Sequence, residues 1–237
     1  MTRHLQRGIK RILTCLGRRL PDYWLHELDA AVNYMMLGRW MFKQGFQVSH
    51  KVRDKWAVFD HIARIVRHVP VLYLEFGVAT GASMRYWSHE LRHPESVLHG
   101  FDSFVGLPED FLMFGPYTKG AFDMQGRTPG IDDNRVKFFK GWFDQVLLTY
   151  VVPEHKILIV NIDADLYSST ITVLRYLRPY LKAGAYLYFD DMCRVEHEPK
   201  AFGEFIKETN LGFHVVSADV TLNHVFFKCD GPMVSLP

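Results

Sequence analysis

Cysteine is scarce: Cys15, Cys193 and Cys229 are the only three in 237 residues. Thiols so few and so scattered build neither a disulfide framework nor a Cys-based metal site, and they fit a reducing compartment. Long apolar runs are also missing. None approaches the length of a membrane span, and the N-terminus lacks the uninterrupted apolar core of a signal peptide, so a cytoplasmic protein is expected. Neither sign of charge dominates. With 28 Lys and Arg against 26 Asp and Glu the net charge is +2, which gives no case for a nucleic-acid partner. Internal repeats and low-complexity tracts are absent.

The chain can hold one large domain with an extension, but hardly two domains. The small net charge hides a local excess: Arg3, Arg7, Lys10, Arg11, Arg18 and Arg19 all precede the first acid, Asp22. Between them Leu5, Ile9, Ile12, Leu13, Leu16 and Leu20 recur at helical spacing, which predicts a basic amphipathic helix. Docking on its own domain or on a partner subunit is the expected use. Weak peripheral contact of residues 1–20 with an anionic membrane is the alternative. A second apolar segment, Tyr23 to Phe46, reads as a long helix or a bent pair suited to packing or homo-oligomerisation, and Asp54 to Val69 as a further helix ended by Pro70. The domain boundary is placed at residue 60: 1–60 a helical extension, 61–237 the main domain.

From Val71 strands and helices alternate. Val71–Phe76, Val97–Phe101, Arg135–Lys140, Ile157–Ile162 and Ala185–Phe189 read as strands with helical stretches between them. Phe213–Ser217 and His224–Lys228 lie close enough to form a closing hairpin. This is the pattern of an α/β sandwich whose last pair is antiparallel. Five of the six residues from Ile157 to Ile162 are aliphatic, the mark of a central strand covered on both faces. The long irregular stretch from Phe104 to Asn134 reads as a substrate-facing loop or lid.

Ligands of open α/β sheets bind outside the carboxyl ends of the strands, and the acids gather there. Asp163 and Asp165 end one strand, Asp190 and Asp191 end the next. Four carboxylates in one mouth repel unless a cation compensates, and an all-oxygen set suits Mg²⁺, Mn²⁺ or Ca²⁺. Each Asp alone could be a turn former or a cap; all four together are poorly explained that way. The first turn, Glu75-Phe-Gly77-Val-Ala-Thr80-Gly81-Ala-Ser83, has glycines where a backbone must approach a ligand, with a helix N-terminus behind them. Its spacing is not that of the dinucleotide fingerprint. Glu75, an acid inside an apolar strand, needs an ammonium group or the loop amides as a partner. Asp102 and Ser103 close the second strand, where an acid gripping ribose hydroxyls would lie, although a turn or cap is an even competitor. The histidines lack ligand spacing; the cluster Glu196-His197-Glu198 could line the mouth.

Leu74–Ser83, Gly100–Glu109, Lys140–Phe143, Ile162–Thr170 and Phe189–Asp191, in this order, resemble the class I S-adenosylmethionine-dependent methyltransferases, in particular the macrocin-type sugar O-methyltransferases. The resemblance implies a Rossmann-like three-layer sandwich with a seven-stranded sheet of order 3-2-1-4-5-7-6, the last strand antiparallel. It implies S-adenosyl-L-methionine bound by Glu75, Gly77, Thr80, Gly81, Ser83, Asp102, Ser103, Asp163 and, at the adenine end, Gly141 and Trp142. It further implies Mg²⁺ on Asp163, Asp190 and Asp191, with Asp165 as general base. The acceptor is then a hydroxyl of a sugar or glycosylated metabolite, or alternatively a catechol-like phenol, which Phe104, Phe111, Phe114 and Tyr117 of the long loop keep in view. An NAD-dependent oxidoreductase and a non-catalytic interaction module are the rivals outside the class.

Overall fold

The computed structural model describes residues 3–112 and 116–233. Its elements run α1 (Arg3–Gly17), α2 (Asp22–Lys43), β1 (Lys51–Val52), α3 (Lys55–Val66), β2 (Val71–Phe76), α4 (Ala82–Glu90) and β3 (Val97–Asp102). They continue with β4 (Phe111–Leu112), β5 (Pro116–Tyr117), β6 (Val136–Lys140), α5 (Phe143–Val146), β7 (Ile157–Ile162) and α6 (Tyr167–Leu177), which a 3₁₀ turn prolongs to Tyr180. The last are β8 (Tyr186–Phe189), α7 (Glu198–Thr209), β9 (Leu211–Asp219) and β10 (Val225–Pro232).

The aliphatic run of β7 lies at the centre, paired in parallel with β2 on one side and β8 on the other. Sheet order is β6-β3-β2-β7-β8-β10-β9-β1, with β10 antiparallel to both neighbours. Leaving β1 aside, this is the order 3-2-1-4-5-7-6 that the family resemblance implies. The sheet has eight strands rather than seven because Lys51 and Val52 pair in parallel with Ala218 and Asp219 at the outer edge. Two residues are too few to leave a period-two pattern in a sequence.

Alternation along the strands divides the core into two apolar layers. Leu72, Leu74, Phe76, Leu158, Val160 and Ile162 face α6, α7 and the C-terminal half of α2, whose Leu37 and Met41 are buried with them. Val71, Tyr73 and Ile159 face α3 and α4, where Phe59, Ile62, Met84 and Trp87 are fully buried. At about 25 cal/mol per Å² of apolar surface, these two layers supply most of the drive to fold. Helix α3 begins at Asp54, whose carboxylate accepts the Ala57 amide at 3.0 Å. The expected boundary at residue 60 falls inside this helix, which covers the sheet.

A polar contact sits at the edge of the first layer. His99 on β3 meets the Tyr150 hydroxyl at 2.7 Å and packs edge-on against Phe139 and Tyr150. Burial, helped by the Lys137 charge, lowers its pKa to about 4. A neutral His in the fold that ionises readily when unfolded contributes stability above its ordinary pKa of about 6.5, lost as pH falls toward 4. His99→Gln is therefore expected to lose less melting temperature than wild type between pH 7 and pH 5 by thermal denaturation. Parallel losses in the two proteins would rule out this role.

Candidate functional site

The carboxyl ends of β2, β3, β6, β7 and β8 open into a cleft of about 730 Å³. Of the site residues expected from sequence, Gly77, Asp102, Ser103, Gly141, Trp142, Asp163, Asp165, Asp190 and Asp191 line it. Glu75, Thr80, Gly81 and Ser83 do not: Glu75 on β2, Gly81 in the turn and Ser83 on α4 are buried behind it, and Thr80 is exposed. The stretch between β3 and β6 forms the opposite wall with Leu107, Pro108, Phe111, Tyr117 and Phe122, and β4 and β5 within it make a short hairpin. Phe104 turns away into the core, and Phe114 lies outside the described residues.

Two βα turns meet at Gly77. A Cβ built on it would stand 1.7 Å from the Asp163 carbonyl oxygen, and its φ is +91°, so only glycine lets these turns approach. Asp102 shapes the same turn: one carboxylate oxygen accepts the Val78 and Ala79 amides at 2.8 Å each, the other the Phe104 amide at 2.7 Å. The loop amides are thus held by Asp102 and not by Glu75. Glu75 accepts the Tyr73 hydroxyl at 2.8 Å, and Asn161, opposite Glu75 on β7, donates to that hydroxyl at 2.9 Å. Burial raises the Glu75 pKa to about 8 against the lowering by Tyr73 and Lys55. The Asn161 side-chain oxygen beside this chain is buried without a hydrogen-bond partner.

The acids separate into two groups. Asp163, Asp165 and Asp191 bring one carboxylate oxygen each within 4.8 Å of one another. Asp165 reaches this place from a left-handed backbone, φ +58°, which Asp tolerates better than most residues. Burial first, then the neighbouring carboxylates, raise the pKa of all three, that of Asp165 to about 7. Asp190 is different. Burial also opposes its charge, yet His224, Lys55 and the Tyr188 hydroxyl outweigh that and hold it below the usual carboxylate range. Lys55 donates to it at 2.9 Å and stands 3.9 Å from Asp163; Tyr188 donates at 2.6 Å.

Lys55 escaped the sequence reading as a site residue, and Glu198 entered it only within the cluster that could line the mouth. Glu198, wholly buried at the start of α7, accepts the Ala164 amide at 3.3 Å and the Asp191 amide at 3.0 Å, tying the two acidic strand ends together. Its neighbour His197 packs on Phe111 of the opposite wall. Its place in an acidic cluster shortly after Asp191 was the signal for Glu198. Lys55 lies 135 residues before Asp190, and nothing local marks it.

Residues 118–228 match the family model described as Macrocin-O-methyltransferase (TylF). Over that stretch, under half of its length, the chain is similar to the macrocin O-methyltransferases. The stretch contains β6 to β8 and all four acids, and it omits the Gly77 turn and Asp102. Over 108 residues the chain is 33% identical to mycinamicin III 3''-O-methyltransferase of Micromonospora griseorubida, covering 43% of this chain and 37% of that one. Over 87 residues it is 29% identical to demethyldecarbamoylnovobiocin O-methyltransferase of Streptomyces niveus, covering 37% and 32%. The matches thus span about a third of these relatives' length. In fold the chain is similar to calicheamicin methyltransferase CalS11, with TM-score 0.55 and 20% identity over 73% of this chain and 76% of that one. It is likewise similar to the O-methyltransferase NovP, with TM-score 0.50 and 22% identity over 76% and 78%. The fold is that of the class I methyltransferases.

Lys55 is the cation that the structure itself supplies to this acidic floor. Burial works against its ammonium, but Asp190 and Asp163 outweigh burial and raise its pKa. Lys55→Met removes that charge and leaves Asp190 to His224 and Tyr188 alone, so a loss of about 2 kcal/mol is expected in urea unfolding without divalent ions. A loss below about 0.5 kcal/mol, as for a surface pair, would contradict this reading.

Proposed function

We propose that this protein is an S-adenosylmethionine-dependent, divalent-metal-assisted O-methyltransferase acting on a hydroxyl of a sugar or glycosylated small molecule. The observation that carries the reading is the cleft itself: clustered carboxylates at the carboxyl ends of β7 and β8 face the Gly77 turn of β2. The relatives' names support the sugar acceptor, since one of them methylates a rhamnosyl group in Streptomyces olivaceus and is 36% identical over 62 residues, 26% of this chain and 23% of that one.

S-adenosylmethionine supplies a methyl group on a sulfonium that is its own leaving group. The chain's part is therefore alignment and proton removal. In this reading the cofactor lies along the Gly77 turn, with Asp102 and Ser103 toward the ribose and Gly141 and Trp142 toward the adenine. Asp102 already holds the turn amides, so the wall is formed before a ligand arrives. Glu75 stands behind the turn as the partner for the methionine ammonium, together with the unpartnered Asn161 oxygen.

The donor set fits a hard divalent cation: three oxygens of Asp163, Asp165 and Asp191 within mutual reach, pKa values raised by burial and by neighbouring carboxylates, and one ammonium among four acids. Asp163 and Asp191 of that trio would hold it, and Asp190, which lies outside the trio and pairs with Lys55, would exchange that contact to complete the set. A divalent cation bound there lowers the pKa of a coordinated hydroxyl. Asp165 receives the acceptor proton, and burial, which raises its pKa above the usual carboxylate range, favours that uptake. Phe111, Tyr117 and Phe122 on the opposite wall exclude water from the transfer. The same aromatic wall favours, as a second reading, a catechol-like phenol as acceptor.

Asp165→Asn preserves shape and the left-handed backbone while removing the base. It is expected to bind S-adenosylhomocysteine as wild type does and to lose at least about a hundredfold in kcat. Methyl transfer followed across glycosides and catechols decides the acceptor class; full turnover by Asp165→Asn on the preferred acceptor would falsify the role given to this residue.

A further inference from the structure

Helix α1 touches nothing that would explain its sequence. Every described side chain from Gln6 to Leu16 is exposed, the apolar ones included: Ile9 is 40%, Ile12 62%, Leu13 60% and Leu16 52% accessible. The expected docking of this helix on its own domain does not occur. Helix α2, which follows, does dock. Its Asn33, Leu37 and Met41 are buried, Trp40 packs on Phe46 and Phe202, and Asp29 pairs with Arg194 at 2.7 Å. The domain thus holds the C-terminal part of α2 and presents α1 to the outside.

The faces of α1 are sharply divided. At 3.6 residues per turn Ile9, Ile12, Leu13 and Leu16 fall within an arc of about 100°, and Arg7, Lys10 and Arg11 within a similar arc on the opposite side. Tyr23 and Trp24, at the start of α2, are 64% and 56% accessible. Aromatic residues with a polar edge beside an apolar face suit the level of lipid headgroups. Among the described residues no helix is long and apolar enough to cross a membrane, so such a helix would lie in the interface.

Charge chooses between a bilayer and a second copy of the chain. Residues 1–21 contain six Arg or Lys and no acid, which leaves 22 basic against 26 acidic residues in the remainder. Pairing α1 with α1 would gather these cations with no acid in either helix to answer them. An anionic lipid surface attracts them and repels the net negative remainder, which confines contact to this end.

We propose that α1, with Tyr23 and Trp24, is a peripheral membrane-binding element that seats the protein on an anionic bilayer. The inference does not depend on the methyl-transfer reading, since its test reads binding and not activity. Full-length protein is sedimented with vesicles of phosphatidylcholine containing phosphatidylglycerol and, separately, of phosphatidylcholine alone. Binding is expected to the first and not the second, and to weaken as salt is raised. Ile12→Glu with Leu13→Glu, and separately Arg7→Glu with Lys10→Glu and Arg11→Glu, should each lower the partition coefficient at least about tenfold. Both sets lie on exposed side chains, so the melting temperature should not change. Absence of binding to anionic vesicles, equal binding to both vesicle types, or binding indifferent to both variants overturns the proposal. So does a protein that stays off vesicles while Ile12→Glu with Leu13→Glu splits an oligomer in sedimentation equilibrium, which would make the face a contact between copies.

Discussion

Four aspartates at the ends of two neighbouring strands cannot all be ionised beside one lysine without strong repulsion, and much around the cleft answers that constraint. Lys55 takes the side of Asp190 and Asp163, and His224 and Tyr188 complete the neutralisation of Asp190. Asp163 has only the longer 3.9 Å contact with Lys55, Asp165 and Asp191 make no ion pair among the described residues, and burial with the neighbouring carboxylates raises the pKa of all three. A site arranged this way is stable only with protons or a cation in it. That is the physical reason for reading it as a place where a metal and a proton acceptor meet.

The main chain around the acids is fixed by other carboxylates. Glu198 bridges the Ala164 and Asp191 amides, and Asp102 gathers the amides of Val78, Ala79 and Phe104. Gly77 lets the β2 and β7 turns come within a distance that no side chain permits. Both walls of the cleft are therefore set by the fold itself, consistent with catalysis by alignment in a formed site. The aromatic wall rests on less: its hairpin is two residues per strand and is steadied by the contact of Phe111 with His197.

The strands were legible in the sequence because the central ones are buried on both faces and the punctuation between them is strong, whereas their order in the sheet came from the family resemblance alone. The four acids were legible because each pair directly ends such a strand. Lys55 was not, since its meaning arises only when α3 is laid across β7 and β8. Nor was the division of labour among the acids: the backbone of Asp165 turns left-handed and brings it toward Asp163 and Asp191, while Asp190 points to Lys55. Asp102 lies in the cleft and gathers backbone amides, the turn role that the sequence reading weighed evenly against a ribose contact. The edge strand β1 was too short to announce itself. The fate of α1 was open because amphipathicity tells which face is apolar and not what covers it.

The most direct test of the account is calorimetric titration of the full chain with S-adenosylhomocysteine and, in parallel, with NAD, each with and without Mg²⁺. The account predicts S-adenosylhomocysteine bound at one site per chain in both conditions, heat from Mg²⁺ that disappears in Asp163→Asn, and none from NAD. Binding of NAD, or failure of S-adenosylhomocysteine to bind in either condition, would contradict it.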